Sequence, residues 1–434
     1  MSVEGVAALA PDSRVAAAGR KLGVSGSWNS PGRSDGALWG ECKGSAVYQV
    51  RVDLSDLAVK CSCPSRKHPC KHGIGLLFLN LESPLPTVPA PDWVTDWLAR
   101  RAAGPKRRKS AAKRGGTVSD PEAKAKRAEK RLSRVAGGLD ALDLWMEDLV
   151  RDGLATAGTR PASFWETQAK RMVDAQAPGV AARLRHLSAL PNSSPDWTGR
   201  LLDGLGRLAL LSEAFRRLDA LDEPLAESVR AEVGIPLPQE AVLDRGERVS
   251  DDWIVLGQRT DDEWRLRTRR TWLLGGESRR YAMILQFAAS GAPFAEQFVS
   301  GTIVSGELAF YPGAYPLRAV VRSRAGVATR AVELPGHRTV EAFLDHASTI
   351  TASQPWLEWL PATLSGVVPL LDGERWLVRD QDGGALPLSG GEHWTLISIS
   401  GGHPLDLVAE WEGGTLLPLG VVTGGRYRMI QGHE

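Results

Sequence analysis

Three thiols and an imidazole fall within twelve residues, Cys61-Ser-Cys63-Pro-Ser-Arg-Lys-His68-Pro-Cys70-Lys-His72. The spacing is Cys-x-Cys, then Cys-x-His. Soft sulfur and borderline nitrogen donors, four in number, are what a tetrahedral divalent zinc takes in a closed structural site. The chain holds four cysteines in all, and three of them sit here. Cys61 and Cys63 are too close in sequence to pair in an unstrained disulfide. A bridge from either to Cys70 would strand one thiol and leave His72 unexplained. A catalytic cysteine needs a base and an orienting partner, which nothing nearby dictates, and a catalytic zinc keeps a position for water. The expectation is therefore one structural Zn2+ held by Cys61, Cys63, Cys70 and His72. His68 competes for the fourth position, but parallel Cys-x-Cys and Cys-x-His pairs make the simpler pincer. Cys42 reads as a small buried hydrophobe.

The flanking residues supply elements that could position such ligands. Tyr48, Val50, Val52 and Leu54 alternate with polar residues, as in a half-buried strand. Trp39 and Glu41 lie on its hairpin partner, with the turn at Lys43-Gly44-Ser45. Val59-Lys60-Cys61 is a further extended piece that Pro64 stops. After the last ligand, Ile74, Leu77, Phe78 and Leu81 follow helical spacing, and this helix is expected to present a surface. Sheet and helix alone bury too little to be stable, so zinc is expected to supply the difference. Three thiolates, a neutral imidazole and Zn2+ leave one net negative charge. Lys60, Arg66, Lys67 and Lys71 can offset it, or can contact phosphates instead.

At these residues the chain resembles the SWIM zinc-finger family, whose pattern is Cys-x-Cys, a variable gap and Cys-x-His. The likeness covers about residues 46–81 and includes the Cys-Lys-His form. It implies zinc ligation by the same four residues and a DNA-binding or protein-interaction module. Such modules occur beside chromatin-remodelling ATPases, transposases and a kinase. The wider chain is similar to bacterial SWIM proteins encoded near MoxR-type AAA ATPases and von Willebrand A-type proteins. That likeness implies a protein partner of one of those kinds and no reaction.

Composition sets the remaining bounds. A chain of 434 residues exceeds one ordinary domain. Its 43% hydrophobic and 24% charged residues are those of a normal globular protein, and a net charge of +2 names no partner. Grouped cysteines argue against a secreted disulfide scaffold. The first residues lack a basic signal-peptide start, and no apolar run is long enough to span a bilayer, so the expectation is a cytoplasmic protein with no membrane partner.

Charge is unevenly spread. From Arg100 to Arg134, fourteen basic residues face only Asp120, Glu122 and Glu129, so the rest of the chain is net acidic. Lys106, Arg107, Arg108 and Lys109 form the densest run. They read as a solvated tether or as a nucleic-acid contact. Before them, Trp93 and Trp97 share one face of a short helix starting near Asp92 and should pack back on the finger.

The architecture expected is α+β and multidomain. Residues 1–90 form the zinc-stabilised ββα-like module with its hairpin, and 91–135 a short helix and basic linker. Residues 136–235 form an α-helical bundle region, with stripes such as Leu139, Leu142, Trp145, Leu149 and Trp197, Leu201, Leu205, Leu208, the first of them starting upstream at Leu132 and Val135. Residues 236–434 are mainly β, either one twisted sandwich or two small barrels, with strands at Trp253–Leu256, Trp376–Val378 and Trp394–Ile399. A helix is expected within 340–360. His337, His346, His393 and His403 read as scattered. No GxxxxGK[ST], HExxH or GxSxG motif is present, so the chain is expected to be no enzyme.

Overall fold

The computed structural model describes residues 3–44, 46–65, 67–102, 121–194, 196–235, 237–263, 266–289, 292–331 and 333–430. The chain opens with two helices, α1 (Val3–Ala8) and α2 (Ser13–Leu22). An antiparallel sheet follows in the order β1 (Trp28–Arg33), β2 (Ala37–Lys43), β3 (Val47–Asp53) and β4 (Val59–Cys61), then α3 (Lys71–Glu82). The Asp12 carboxylate caps α2 by accepting the Val15 amide at 2.8 Å.

Helix α3 does not present a surface. Ile74, Leu76, Leu77, Phe78 and Leu79 are at most 1% exposed, because the sheet covers one side and α1 and α2 the other. A helix apolar all round is a buried helix. Neither α1 nor α2 was anticipated from the sequence. Helix α2 meets α3 through Gly19, where a Cβ would lie 2.6 Å from Ile74 Cγ2. Its contact face is built largely from small residues.

Helix α4 (Asp92–Ala102) returns over the sheet, with Val94 buried against Ala37 and Trp39. Trp93 and Trp97 do pack back on the finger. The Arg51 guanidinium lies 5.1 Å from the Trp93 ring and 5.7 Å from that of Trp97, and Arg101 pairs with Asp53 at 3.0 Å. The run Lys106–Lys109, read as a tether or a phosphate contact, lies outside the described residues, as does Arg66.

Five helices build the middle: α5 (Pro121–Arg151), α6 (Ala162–Asp174), α7 (Pro178–Ser188), α8 (Trp197–Arg216) and α9 (Glu223–Val233). Val135, Leu139, Leu142, Leu184, Leu205 and Leu208 form part of one continuous core. Helix α9 was not read from the sequence. Its inward residues Ala226, Ser228, Val229 and Val233 are small or β-branched; Asp222 caps it and Gly234 ends it at φ +110°.

Past α10 (Gln239–Arg245) the chain turns to β-structure, which is neither a sandwich nor two barrels. One closed barrel runs β5 (Glu247–Glu263), β6 (Leu266–Gly275), β7 (Tyr281–Ala289), β9 (Arg318–Arg330) and β8 (Thr302–Phe310), closed by the parallel pair β7 and β9. After α11 (Val340–Ser353) come β10 (Leu360–Asp372), β11 (Arg375–Arg379), β12 (Ala385–Pro387), α12 (Trp394–Ser400), β13 (Leu405–Trp411), β14 (Leu416–Thr423) and β15 (Arg426–Met429). The last six strands form an open sheet ordered β12-β11-β10-β13-β14-β15. Residues Trp394–Ile399, expected as a strand, are helical. Leu396 and Ser400, four apart, face inward, Trp394 is 57% exposed, and Gly401 at φ +56° ends the turn. Barrel and sheet share a core around α11, with Trp272, Leu274, Phe343, Leu364 and Leu407.

Two histidines read as scattered meet in that core. The His337 and His346 rings lie 5.3 Å apart, and His346 Nε2 is buried without a hydrogen-bond partner. Burial pushes both pKa values below the ordinary 6.5, and the charge of His346 lowers that of His337 further. The unfolded chain therefore takes up protons first as pH falls. Stability from the neutral pair is complete above the ordinary histidine range and declines below it. His346→Gln is expected to flatten the decline of the urea midpoint between about pH 7 and 5. An unchanged slope in that variant would remove the pair as its source.

Candidate metal centre

Strand β4 ends at Cys61, the chain turns through Cys63, and α3 starts just past Cys70, so sheet edge and helix N-terminus converge on one point. Register fixes the first half. Val50 pairs with Cys61, and the Ser62 hydroxyl accepts the Gln49 amide at 3.0 Å. Val59 beside Gly73 fixes the second half. A Cβ at Gly73 would stand 2.3 Å from Val59 Cγ1, so only glycine lets the first turn of α3 approach β4. Gly73→Ala is expected to push the helix and His72 off the thiols. Zinc affinity should drop by on the order of tenfold or more, measured by competition with a chelator. Wild-type affinity would show that the helix can shift without cost.

The ligand atoms of Cys61, Cys63, Cys70 and His72 all lie within 4.8 Å of one another. His72 Nδ1 is 3.7 Å from Cys61 Sγ and 3.9 Å from Cys70 Sγ. Tetrahedral zinc with ordinary bond lengths separates nitrogen from sulfur by about 3.6 Å. The four residues are therefore positioned to bind one metal ion, with every coordination position supplied by protein. Bound there, zinc crosslinks β4 to α3.

Environment differentiates the donors. Cys70 and His72 are buried, whereas Cys61 and Cys63 are half-buried. The Cys61 thiol beside Cys70 holds the Cys70 pKa down at about 3, with His72 and the Gly73 amide adding to the effect. The same hydrogen bond raises Cys61, and burial raises Cys63. A thiolate on Cys70, backed by the start of α3, is the donor form that a metal requires. The Tyr48 ring packs on His72 with centroids 4.9 Å apart and restricts its rotation.

Two other donors stay out of the cluster. His68 is exposed and lies apart from the four. Cys42 is fully buried in the finger core, where burial raises its pKa. Among the basic neighbours, Lys60 and Lys71 are exposed, while Lys67 pairs with Asp12 at the head of α2. Arg14 joins Lys71, Tyr48 and Cys63 around a groove of about 420 Å3 beside the metal centre. Arg14 carried no signal in the sequence, because its helix was not anticipated.

A closed Cys3His centre between a sheet and a helix defines a structural zinc finger. Residues 48–80 match the SWIM zinc finger, and residues 130–233, from within α5 to the end of α9, match the SWIM-associated four-helix bundle domain. The chain thus carries a SWIM zinc finger and the SWIM-associated bundle domain. Neither the curated proteins nor the solved structures yield a match to it. Among the described residues, no helix is long and apolar enough to cross a membrane.

Proposed function

We propose that the protein is a non-catalytic, cytoplasmic adaptor that joins other proteins through its folded surfaces, with an AAA ATPase of the MoxR type, or a von Willebrand A-type protein, as partner. The observation that carries this reading is a metal centre with no position left for a substrate. That centre sits in a chain devoted mostly to packed scaffold. Because α3 is enclosed, the recognition surface belongs elsewhere. The bundle offers Leu144, Leu202 and Leu210, which are 64%, 52% and 47% exposed, and exposed apolar side chains are the usual raw material of protein contacts.

A pull-down from native extract tests this reading. Wild-type protein is expected to retain an ATPase or von Willebrand A-type partner, and Leu144→Asp with Leu202→Asp is expected to release it. A partner held equally by the variant would take the bundle out of the interface.

A second reading, DNA binding, draws on the Arg14 and Lys71 pair at the groove and on exposed Lys60. Contacts from Lys67 would first have to break its pair with Asp12. The reading extends to Arg66 and to Lys106, Arg107, Arg108 and Lys109. It predicts DNA affinity that falls steeply with salt, by on the order of a thousandfold between 50 and 200 mM if about six phosphates are neutralised. Unchanged DNA mobility at low salt with zinc-loaded protein would end it.

A further inference from the structure

A cavity of about 700 Å3 opens where the finger, the barrel and the open sheet meet. Its walls come from the ends of elements remote in sequence: α1, the last turn of α3, the segment leading into β8, the end of β9, α12 and β15. The junction is continuous, since Val299 before β8 is buried in the finger's own core. Tyr427 makes the floor rigid. Its hydroxyl donates to the Leu256 carbonyl at 2.6 Å, and its ring packs where Gly301, at φ +77°, leaves no room for a Cβ.

The described lining has one sign of charge. Among the described residues, Arg330, Arg426 and Arg428 reach it, no carboxylate does, and none of the three is in an ion pair. Several arginines elsewhere in this protein are neutralised instead. Arg183, Arg216, Arg230, Arg259 and Arg270 are each held by at least two carboxylates. Three guanidinium groups gathered without a counterion make a strong anion site, and the planar fork suits phosphate oxygens. The Ser300 hydroxyl is buried beside Tyr427 and lacks a well-formed hydrogen bond.

The remaining wall is apolar, with Leu81, Val299, Ile399 and Met429. An inorganic anion would leave most of the volume unfilled, whereas pockets of this size and mixed lining take molecules of cofactor dimensions. We infer that the cavity binds an organic diphosphate of nucleotide size, with phosphates on the three arginines and the organic portion against the apolar wall. Such a ligand would bridge the finger to both β units. This inference is independent of the adaptor reading, since it concerns a different face and different residues.

Calorimetric titration of the zinc-loaded full-length protein with ADP, UDP and inorganic pyrophosphate tests it. At least one nucleotide should bind at one per chain and more tightly than pyrophosphate. The double variant Arg426→Gln, Arg428→Gln should weaken that binding by on the order of tenfold or more. Arg330→Gln should act in the same direction. Arg375→Gln with Arg379→Gln, on β11 of the same sheet, should leave it unchanged. No heat from any of the three probes would overturn the inference. So would wild-type affinity in a folded Arg426, Arg428 variant, or pyrophosphate binding as tightly as the nucleotides.

Discussion

Cys70→Ala is expected to abolish stoichiometric zinc and to unfold the finger while the bundle stays folded. Cys70 is 1% exposed, stands at the N-cap position of α3, and carries the most acidic thiol of the centre. Its loss leaves three donors, of which two are only half-buried. Zinc contributes about 10 kcal/mol or more to small finger domains, comparable with the whole stability of an ordinary domain. The finger core has seventeen buried residues around α3, too small a core to cover a loss of that size. The bundle has a separate core, so its helices should keep native protection. The measurement is metal content together with amide exchange, read separately over residues 28–82 and 130–233. Chelation of the wild-type protein should reproduce the variant. Full protection of α3 in metal-free Cys70→Ala protein would show that packing against α1 and α2 suffices without the ion.

The second large effect lies at the seam of barrel and sheet. Glu410 on β13 is fully buried. It accepts from Arg270 Nε at 2.9 Å and Nη2 at 3.2 Å, and from Trp272 Nε1 at 2.7 Å. Arg270, on β6, also donates to Asp261 at 2.9 Å and lies 4.1 Å from the Trp359 ring. Trp272 and Arg259 would remain on the carboxylate, Arg259 being the one cation, at 3.4 Å and from a half-buried position. Removing one partner of a buried pair strands the other charge, at about 3–5 kcal/mol. Arg270→Met is expected to lower the unfolding free energy by that amount in urea titration. Arg270→Met with Glu410→Leu should recover much of it, because no charge is then left unpaired. A single variant within about 1 kcal/mol of wild type would mean that water or Arg259 replaces the lost guanidinium.

The metal centre was legible because its ligands are local. Twelve residues carry all four donors, and the strand and helix that aim them are themselves short-range patterns. The stripes of α5 through α8 were legible for the same reason, since their large apolar residues recur every three or four positions. Helices α2 and α9 were not read because their inward faces use small residues such as Gly19, Ala226 and Ser228, whose smallness serves close packing, in place of a run of large apolar ones. Trp394–Ile399 was misread because four large apolar residues in six resemble a strand. Burial of only Leu396 and Ser400 made it a helix.

Residue order along the chain thus determined the zinc ligands, the finger's strand-and-helix frame and the helical middle, because each depends on neighbours within one or two turns. Tertiary structure alone decided that α3 is enclosed and that the β-strands close one barrel through the parallel pairing of β7 and β9. It also decided that His337 meets His346 and that Arg330 joins Arg426 and Arg428 around one cavity. Those contacts join segments far apart in sequence. Their partners are selected by shape and burial in the assembled core, which no local spacing encodes.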